Sequence, residues 1–533
     1  MQRGLLRTAV ASSSSSSLLL CSAATSRMLA STPASRSFAS SSSSSSSEKK
    51  VLNLENLNPK LLRAEYAVRG ELVIRAEEHV KALADPQKKG QLPFEEVIFC
   101  NIGNPQQLNQ KPITFFRQVA SLMEYPELLN SERAKDIFPE DAIARAKALL
   151  SKVPGGVGAY SNSQGLPAVR EHVSQFIEER DGYPSDPSDI FLTEGASGGV
   201  VALLNCLLRG KQDGVMIPIP QYPLYSATIP LLGGSQLEYY LDEENGWSLK
   251  VEELDQVVKK AKEDGIEARA LVIINPGNPT GQCLEPANMR EIIDFCHRNK
   301  VLLFADEVYQ VNAYAKPFFS FKKILRDMQQ ERPELNGFEL ASFHSVSKGV
   351  IGECGKRGGY MEIVGFDPAV KAQLYKLASI SLCPNLPGQI MVDLMVKPPQ
   401  EGEPSYPLCH QETSAIFASL QRRAATLSAA LNRMEGVSCN QAEGAMYLFP
   451  RIRLPAKAVE AAKQKGKAAD VMYAIDLLDA TGVCVVPGSG FGQKEGTLHF
   501  RTTFLPPEEK IEGVVERMAA FHKEWMRKWS SSQ

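Results

Sequence analysis

The chain has 533 residues, 43% of them hydrophobic and 23% charged, the composition of ordinary soluble globular domains and enough for about two or three of them. With 59 Lys and Arg against 61 Asp and Glu the net charge is −2, so no basic field recruits nucleic acid. No apolar run approaches the ~18 residues that a membrane span requires, and ten scattered cysteines without a CxxC pair read as reduced, mostly packed thiols.

Residues 1–47 carry Arg3, Arg7, Arg27 and Arg36, no Asp or Glu, and two serine tracts. An Arg-rich, Ser-rich, acid-free start is the composition of an organelle transit peptide, and the early arginine spacing favours mitochondrion over plastid. A disordered serine tail without an address is the plainer alternative. Residues 48–140 mix a helical stretch (about 61–84) with an extended segment from Phe94 to Ile102. A helix over Asp141–Leu150 then opens a large domain spanning 141–400. Within it, helical patterns alternate with the apolar runs Asp189–Thr193, Val215–Ile219, Ala270–Ile274, Val301–Ala305 and Leu340–His344. Short, fully apolar runs between helices predict an α/β fold with a mostly parallel sheet covered on both faces. The proline-rich stretch from Lys397 to Pro404 marks a boundary or a flap. Residues 401–533 supply a long helix (Glu412–Arg433), a β-containing part and a terminal helix (Pro507–Trp529). Together with 48–140 they make a smaller α+β domain from both chain ends.

Ligands of such sheets sit where strands end, and four loops here place unusual polar residues directly after an apolar run. Gly195-Ala196-Ser197-Gly198-Gly199 opens a helix whose free N–H groups suit a phosphate, although a tight turn has the same look. Asn275-Pro276-Gly277-Asn278-Pro279-Thr280-Gly281 is a rigid turn that presents the Asn278 amide. Asp306 follows a buried run, where a carboxylate is costly unless a cation meets it; a helix N-cap is the structural alternative, and Tyr309 stands three residues on. Lys348 follows Leu340–His344, with Ser345 and Ser347 before it and Arg357 after it. Most lysines are solvated surface charges, but a desolvated amine is a nucleophile for an aldehyde.

In this order the four loops resemble the aspartate-aminotransferase superfamily of fold-type-I pyridoxal-phosphate enzymes and, within it, the alanine aminotransferase group. The closer resemblance rests on Asn101-Ile102-Gly103-Asn104-Pro105, Gln110 to Phe115, Gly195-Ala196-Ser197, Pro220 to Ser226, and SFHSVSKGVIGECGKRGGY over Ser342–Tyr360. It covers the chain from about residue 52 onward. The resemblance implies that Lys348 holds pyridoxal 5'-phosphate as a Schiff base and, once freed, moves the Cα proton. It implies that Asp306 pairs with the ring nitrogen, Tyr309 and Asn278 bond the phenolate oxygen, and Tyr222 stacks on the ring. Ala196, Ser197, Ser345, Ser347 and Arg357 would hold the phosphate, joined by Tyr160 of a second subunit, so that a homodimer shares its sites. Arg501 would fork onto the substrate α-carboxylate, with Gly103 closing over the substrate.

The reaction so implied is ping-pong transfer between small amino and keto acids, L-alanine and 2-oxoglutarate giving pyruvate and L-glutamate, in the mitochondrial matrix. One departure from many relatives is that Arg357 lies nine residues after Lys348 rather than eight, a longer loop that the alanine group shares. Glutamate:glyoxylate aminotransferases are the nearest rival; they usually end in a peroxisomal tripeptide, unlike Ser-Ser-Gln here. A pyridoxal-binding regulator without turnover is the rival of another class, and intact Lys348 and Arg501 speak against it.

Overall fold

The computed structural model describes residues 52–64, 70–88 and 90–530. The basic, serine-rich segment read as a transit peptide lies outside them. Five of the apolar runs become strands of one seven-stranded sheet: β1 (Ile190–Glu194), β2 (Asp213–Ile219), β4 (Glu267–Ile274), β5 (Leu302–Asp306) and β6 (Leu340–Ser345). The two others are β3 (Ser235–Tyr240) and β7 (Gly358–Val364). Their order across the sheet is β1-β7-β6-β5-β4-β2-β3. Every neighbouring pair is parallel except those made by β7, which runs against both β1 and β6. The α/β class and the mostly parallel mixed sheet are therefore as the sequence led us to expect.

Both faces of the sheet are covered. On one, Phe191, Phe304, Phe343 and Met361 pack with Val200 and Leu204 of the helix Gly195–Leu207 and with Tyr225. On the other, Leu271, Leu303 and Leu340 pack with the helices Pro286–Asn299 and Phe321–Glu331. Burial on both sides removes the need for a polar face, which is why these strands read as unbroken apolar runs. Six strands running the same way bring their C-terminal ends, and the four marked loops, to one edge.

The rest of the chain forms a smaller α+β layer from both ends. Ile98–Phe99 pairs in parallel with Val483–Cys484, and Leu72, Ala76 and Leu108 share one core with Leu427, Met472, Phe500 and Trp525. Only those two residues of the expected extended segment Phe94–Ile102 are strand, and the helix expected over 61–84 is described as Pro59–Arg63 and Glu71–Ala84. The long helix begins at Tyr406 rather than Glu412, because Pro407 sits in its first turn where no N–H is missed. The stretch Lys397–Pro404 is the connection into that helix, tied down by Arg145 Nη1 donating to the Lys397 carbonyl at 2.7 Å. From Asn56 the chain is one compact unit. Among the described residues the nine cysteines are all free thiols, and four of them are buried.

Candidate active site

Asp306 is the last residue of β5 and no helix follows it, so the N-cap alternative falls away. Its Oδ2 accepts a hydrogen bond from the Tyr225 hydroxyl at 2.8 Å, while Oδ1 is buried without a partner among the described residues. Burial pushes its pKa up to about 6, against the pull of the Tyr225 hydroxyl, the Val308 N–H and the charge of Lys348. Tyr309, three residues on, is buried, and Lys348 Nζ stands 5.9 Å from the centre of its ring.

Asn278 comes from the turn after β4. That turn is closed by Gly277 N–H donating to the Gln282 carbonyl at 2.9 Å, and both Asn275–Pro276 and Asn278–Pro279 are cis. The Asn278 amide donates to the Tyr309 hydroxyl at 3.4 Å and accepts from Arg501 Nη1 at 3.2 Å. Arg501 is only 2% exposed and donates its other terminal nitrogen to the Asn101 carbonyl at 2.5 Å, leaving Nε without a partner. No carboxylate among the described residues forms an ion pair with Lys348 or Arg501. A buried guanidinium without a counter-ion suits an anionic ligand.

Beside β5, β6 ends on Ser345, and the loop after it carries Ser347 and Lys348. Ser345 Oγ accepts from the Ser347 N–H at 3.1 Å and donates to the Gly358 carbonyl at 3.2 Å. The additional residue between Lys348 and Arg357 is taken up by a short turn, Cys354–Lys356, after which Arg357 adopts φ 54°. From there its guanidinium returns to Ser347 Oγ (3.3 Å), Ser197 Oγ (3.3 Å) and the Glu194 carbonyl (3.1 Å). Ser197 and Ala196 stand in the first turn of the helix after β1, whose free N–H groups face no acceptor of their own helix. Two serines, a helix start and an arginine thus converge as an anion cradle.

Of the remaining expected residues, Tyr222 is half-buried immediately before the helix Pro223–Leu232. Gly103 lies against Tyr447, because a Cβ there would fall on the Tyr447 hydroxyl. Tyr160 stands apart, 80% exposed on the surface of this chain. Two members of the cluster carry no sequence signal for it. Tyr225 anchors Asp306 from 81 residues away in the chain, and Tyr447 accepts a hydrogen bond from Tyr309 at 3.4 Å. A buried tyrosine needs a hydrogen-bond partner, but nothing in its neighbours along the chain says which.

Residues 130–518 match the family model for aminotransferase class I and II. The chain is 58% identical over 486 residues to a probable mitochondrial alanine aminotransferase of Dictyostelium discoideum, covering 90% of each. It is 52% identical to a glutamate–glyoxylate aminotransferase of Arabidopsis thaliana, over 91% of this chain and 98% of that one. Among solved structures, an alanine aminotransferase from Pyrococcus furiosus superposes with a TM-score of 0.68 at 24% identity, covering 88% of this chain and 99% of that one. At that identity the likeness speaks for the fold.

Proposed function

Since the chain belongs to the class I and II aminotransferases, we propose that it binds pyridoxal 5'-phosphate at Lys348 and transfers the amino group of L-alanine to 2-oxoglutarate, giving pyruvate and L-glutamate by a ping-pong mechanism. The observation that carries the cofactor is Asp306, a buried carboxylate with one oxygen unpartnered, in a cluster with Lys348 and Arg501, which no carboxylate among the described residues pairs. Asp306 would pair with the cofactor's protonated pyridine nitrogen, and Ala196, Ser197, Ser345, Ser347 and Arg357 would hold its phosphate. When bound, the cofactor supplies an aldehyde for the amino group and a cationic ring that withdraws electrons from Cα.

The chain's own residues do the rest. Arg501, steadied by Asn278 and the Asn101 carbonyl, receives the substrate α-carboxylate as a planar fork. That fixes Cα near Lys348, whose amine takes the Cα proton as general base. Asn278 and Tyr309, already in contact through 3.4 Å, bond the ring's phenolate oxygen, and Tyr222 covers the ring. Gly103 is the only residue type that leaves room for the Tyr447 hydroxyl where the substrate enters. Tyr160, exposed here, reaches the phosphate of a partner subunit in a homodimer. The composition of residues 1–47, together with relatives named as mitochondrial, supports import to the mitochondrial matrix.

Steady-state rates of the purified chain with alanine and 2-oxoglutarate, and with glutamate and glyoxylate, test the substrate. The alanine pair should be faster by at least about tenfold. Faster glyoxylate turnover would replace the substrate and leave the chemistry standing. A Lys348→Ala protein that kept the visible absorbance of the wild-type holoenzyme would overturn the cofactor assignment itself.

A further inference from the structure

Arg501, Asn278, Tyr309 and Tyr447 close a ring of contacts. Arg501 Nη1 donates to Asn278 Oδ1, the Asn278 amide donates to the Tyr309 hydroxyl, and the Tyr309 hydroxyl donates to that of Tyr447. The Tyr447 ring then lies under the Arg501 guanidinium, 4.2 Å from its carbon. We propose that Tyr447 is a positioning residue with two separable tasks: its ring seats Arg501 for the substrate carboxylate, and its hydroxyl holds Tyr309 and fills the space beside Gly103. The inference rests on the roles given above to Arg501 and Tyr309.

The ring's task follows from the strands. Tyr447 sits opposite Thr503 in an antiparallel pair, so Arg501, two residues along, shares its face at the diagonal position. On its other side the guanidinium meets Phe491 at 4.6 Å. Two aromatic faces hold the plane of the guanidinium while Asn278 and the Asn101 carbonyl fix its rotation. Nothing else in the cluster sets that plane, and a cation between two desolvated rings is well stabilised without a counter-ion. The approach is built into the backbone. Ala445 takes φ 61°, its N–H donates to the Asn312 carbonyl at 2.9 Å, and the Tyr314 hydroxyl donates to the Ala445 carbonyl at 2.8 Å.

The hydroxyl's task is electrostatic as well as steric. Burial alone would raise the Tyr447 pKa, but the charges of Lys348 and Arg501 and the hydrogen bond from Tyr309 bring it below the ordinary tyrosine value. If Tyr447 merely filled space, a phenylalanine would serve as well and a smaller apolar residue would cost stability alone.

Two variants of the full-length holoenzyme separate the tasks. Tyr447→Phe keeps the ring, so KM for alanine and for 2-oxoglutarate should stay within about twofold of wild type. Its kcat should fall about threefold or more, because Tyr309 loses the hydroxyl that holds it. Tyr447→Leu loses the ring, so both KM values should rise about tenfold. Calorimetry with glutarate, a dicarboxylate that cannot react, should show the Leu holoenzyme binding about tenfold more weakly than the wild-type holoenzyme. Should the Leu variant misfold, Tyr447→Met takes its place. A wild-type kcat in the Phe variant overturns the hydroxyl's task, and wild-type glutarate affinity in the Leu or Met variant overturns the ring's. Absence of alanine turnover in the wild type would sink the proposed reaction while leaving the glutarate comparison readable.

Discussion

Asp306 pays for its position in stability. Its carboxyl is pushed up to about 6 in the folded chain, against 3.8 for an ordinary aspartate, because burial disfavours the charge by more than Tyr225, the Val308 N–H and Lys348 favour it. A raised carboxyl pKa means that the native state holds the proton more tightly than the unfolded one. Below about pH 4 the group costs nothing, the penalty grows between about 4 and 6, and above that it is constant at about 2–3 kcal/mol. Asp306→Asn keeps the acceptor for Tyr225 and removes the charge. In urea melts of the cofactor-free protein it should be more stable than wild type by about 2 kcal/mol at pH 8 and indistinguishable at pH 4. Transamination should fall by at least about a hundredfold, because an amide cannot keep the ring nitrogen protonated. Equal stability at pH 8 would mean that Asp306 is compensated without the cofactor. Asp306 and Lys348 were legible in the sequence because each follows an apolar run, where charge is out of place. Tyr225 and Tyr447 were not, since their partners lie 81 and 138 residues away and no local pattern encodes a contact of that range.

At the scale of elements, the anion cradle depends on how closely β7 passes beneath the helix Gly195–Leu207. A Cβ at Gly359 would lie 2.7 Å from the Gly195 carbonyl carbon and 2.8 Å from the Ala196 nitrogen, all backbone. Neither strand nor helix start has a side chain that can swing aside, so Gly359→Ala should shift the first turn of the helix by a few tenths of an ångström. Misaligned N–H groups hold a phosphate poorly. The expected result is at least a tenfold weaker affinity for pyridoxal phosphate in equilibrium titration, with a loss of about 1–3 kcal/mol in stability. Unaltered cofactor affinity would show that the helix start is not what holds the phosphate. The same strand explains why only part of the sheet could be read in advance. β7 is fully buried, yet it opens on two glycines and carries Glu362, paired in the interior with Lys322 at 2.5 Å. An interior ion pair interrupts the apolar run that marks a covered strand. β3, at the edge of the sheet, alternates between buried and exposed residues and so lacks that run as well. The five other strands had it, and with them came the four loops.

On the scale of the whole molecule, the cradle is open on one side. Ser197 and Arg357 border a groove of about 580 Å³, and Ile380 on its rim is 75% exposed. Leu382 is 51% exposed beside it, and the Leu382 carbonyl accepts from Ser163 Oγ at 2.6 Å, which ties this rim to the segment carrying Tyr160. Large apolar side chains gathered beside a polar ligand site mark a surface that a partner covers. In the homodimer proposed above, a second copy buries this rim and brings its own Tyr160 to the phosphate, an arrangement that composition alone could not suggest and that came only from resemblance. Assembly and cofactor binding are then coupled by mass action, each strengthening the other. Ile380→Asp places a charge where the rim must be dry. It should sediment as a monomer at micromolar concentration and bind pyridoxal phosphate at least about tenfold more weakly, although Ile380 is not among the residues assigned to the phosphate. Raising the protein concentration should restore cofactor affinity in the variant, whereas a defect in the monomer's own fold would not respond. A monomeric variant with wild-type cofactor affinity would show that each subunit completes its site alone.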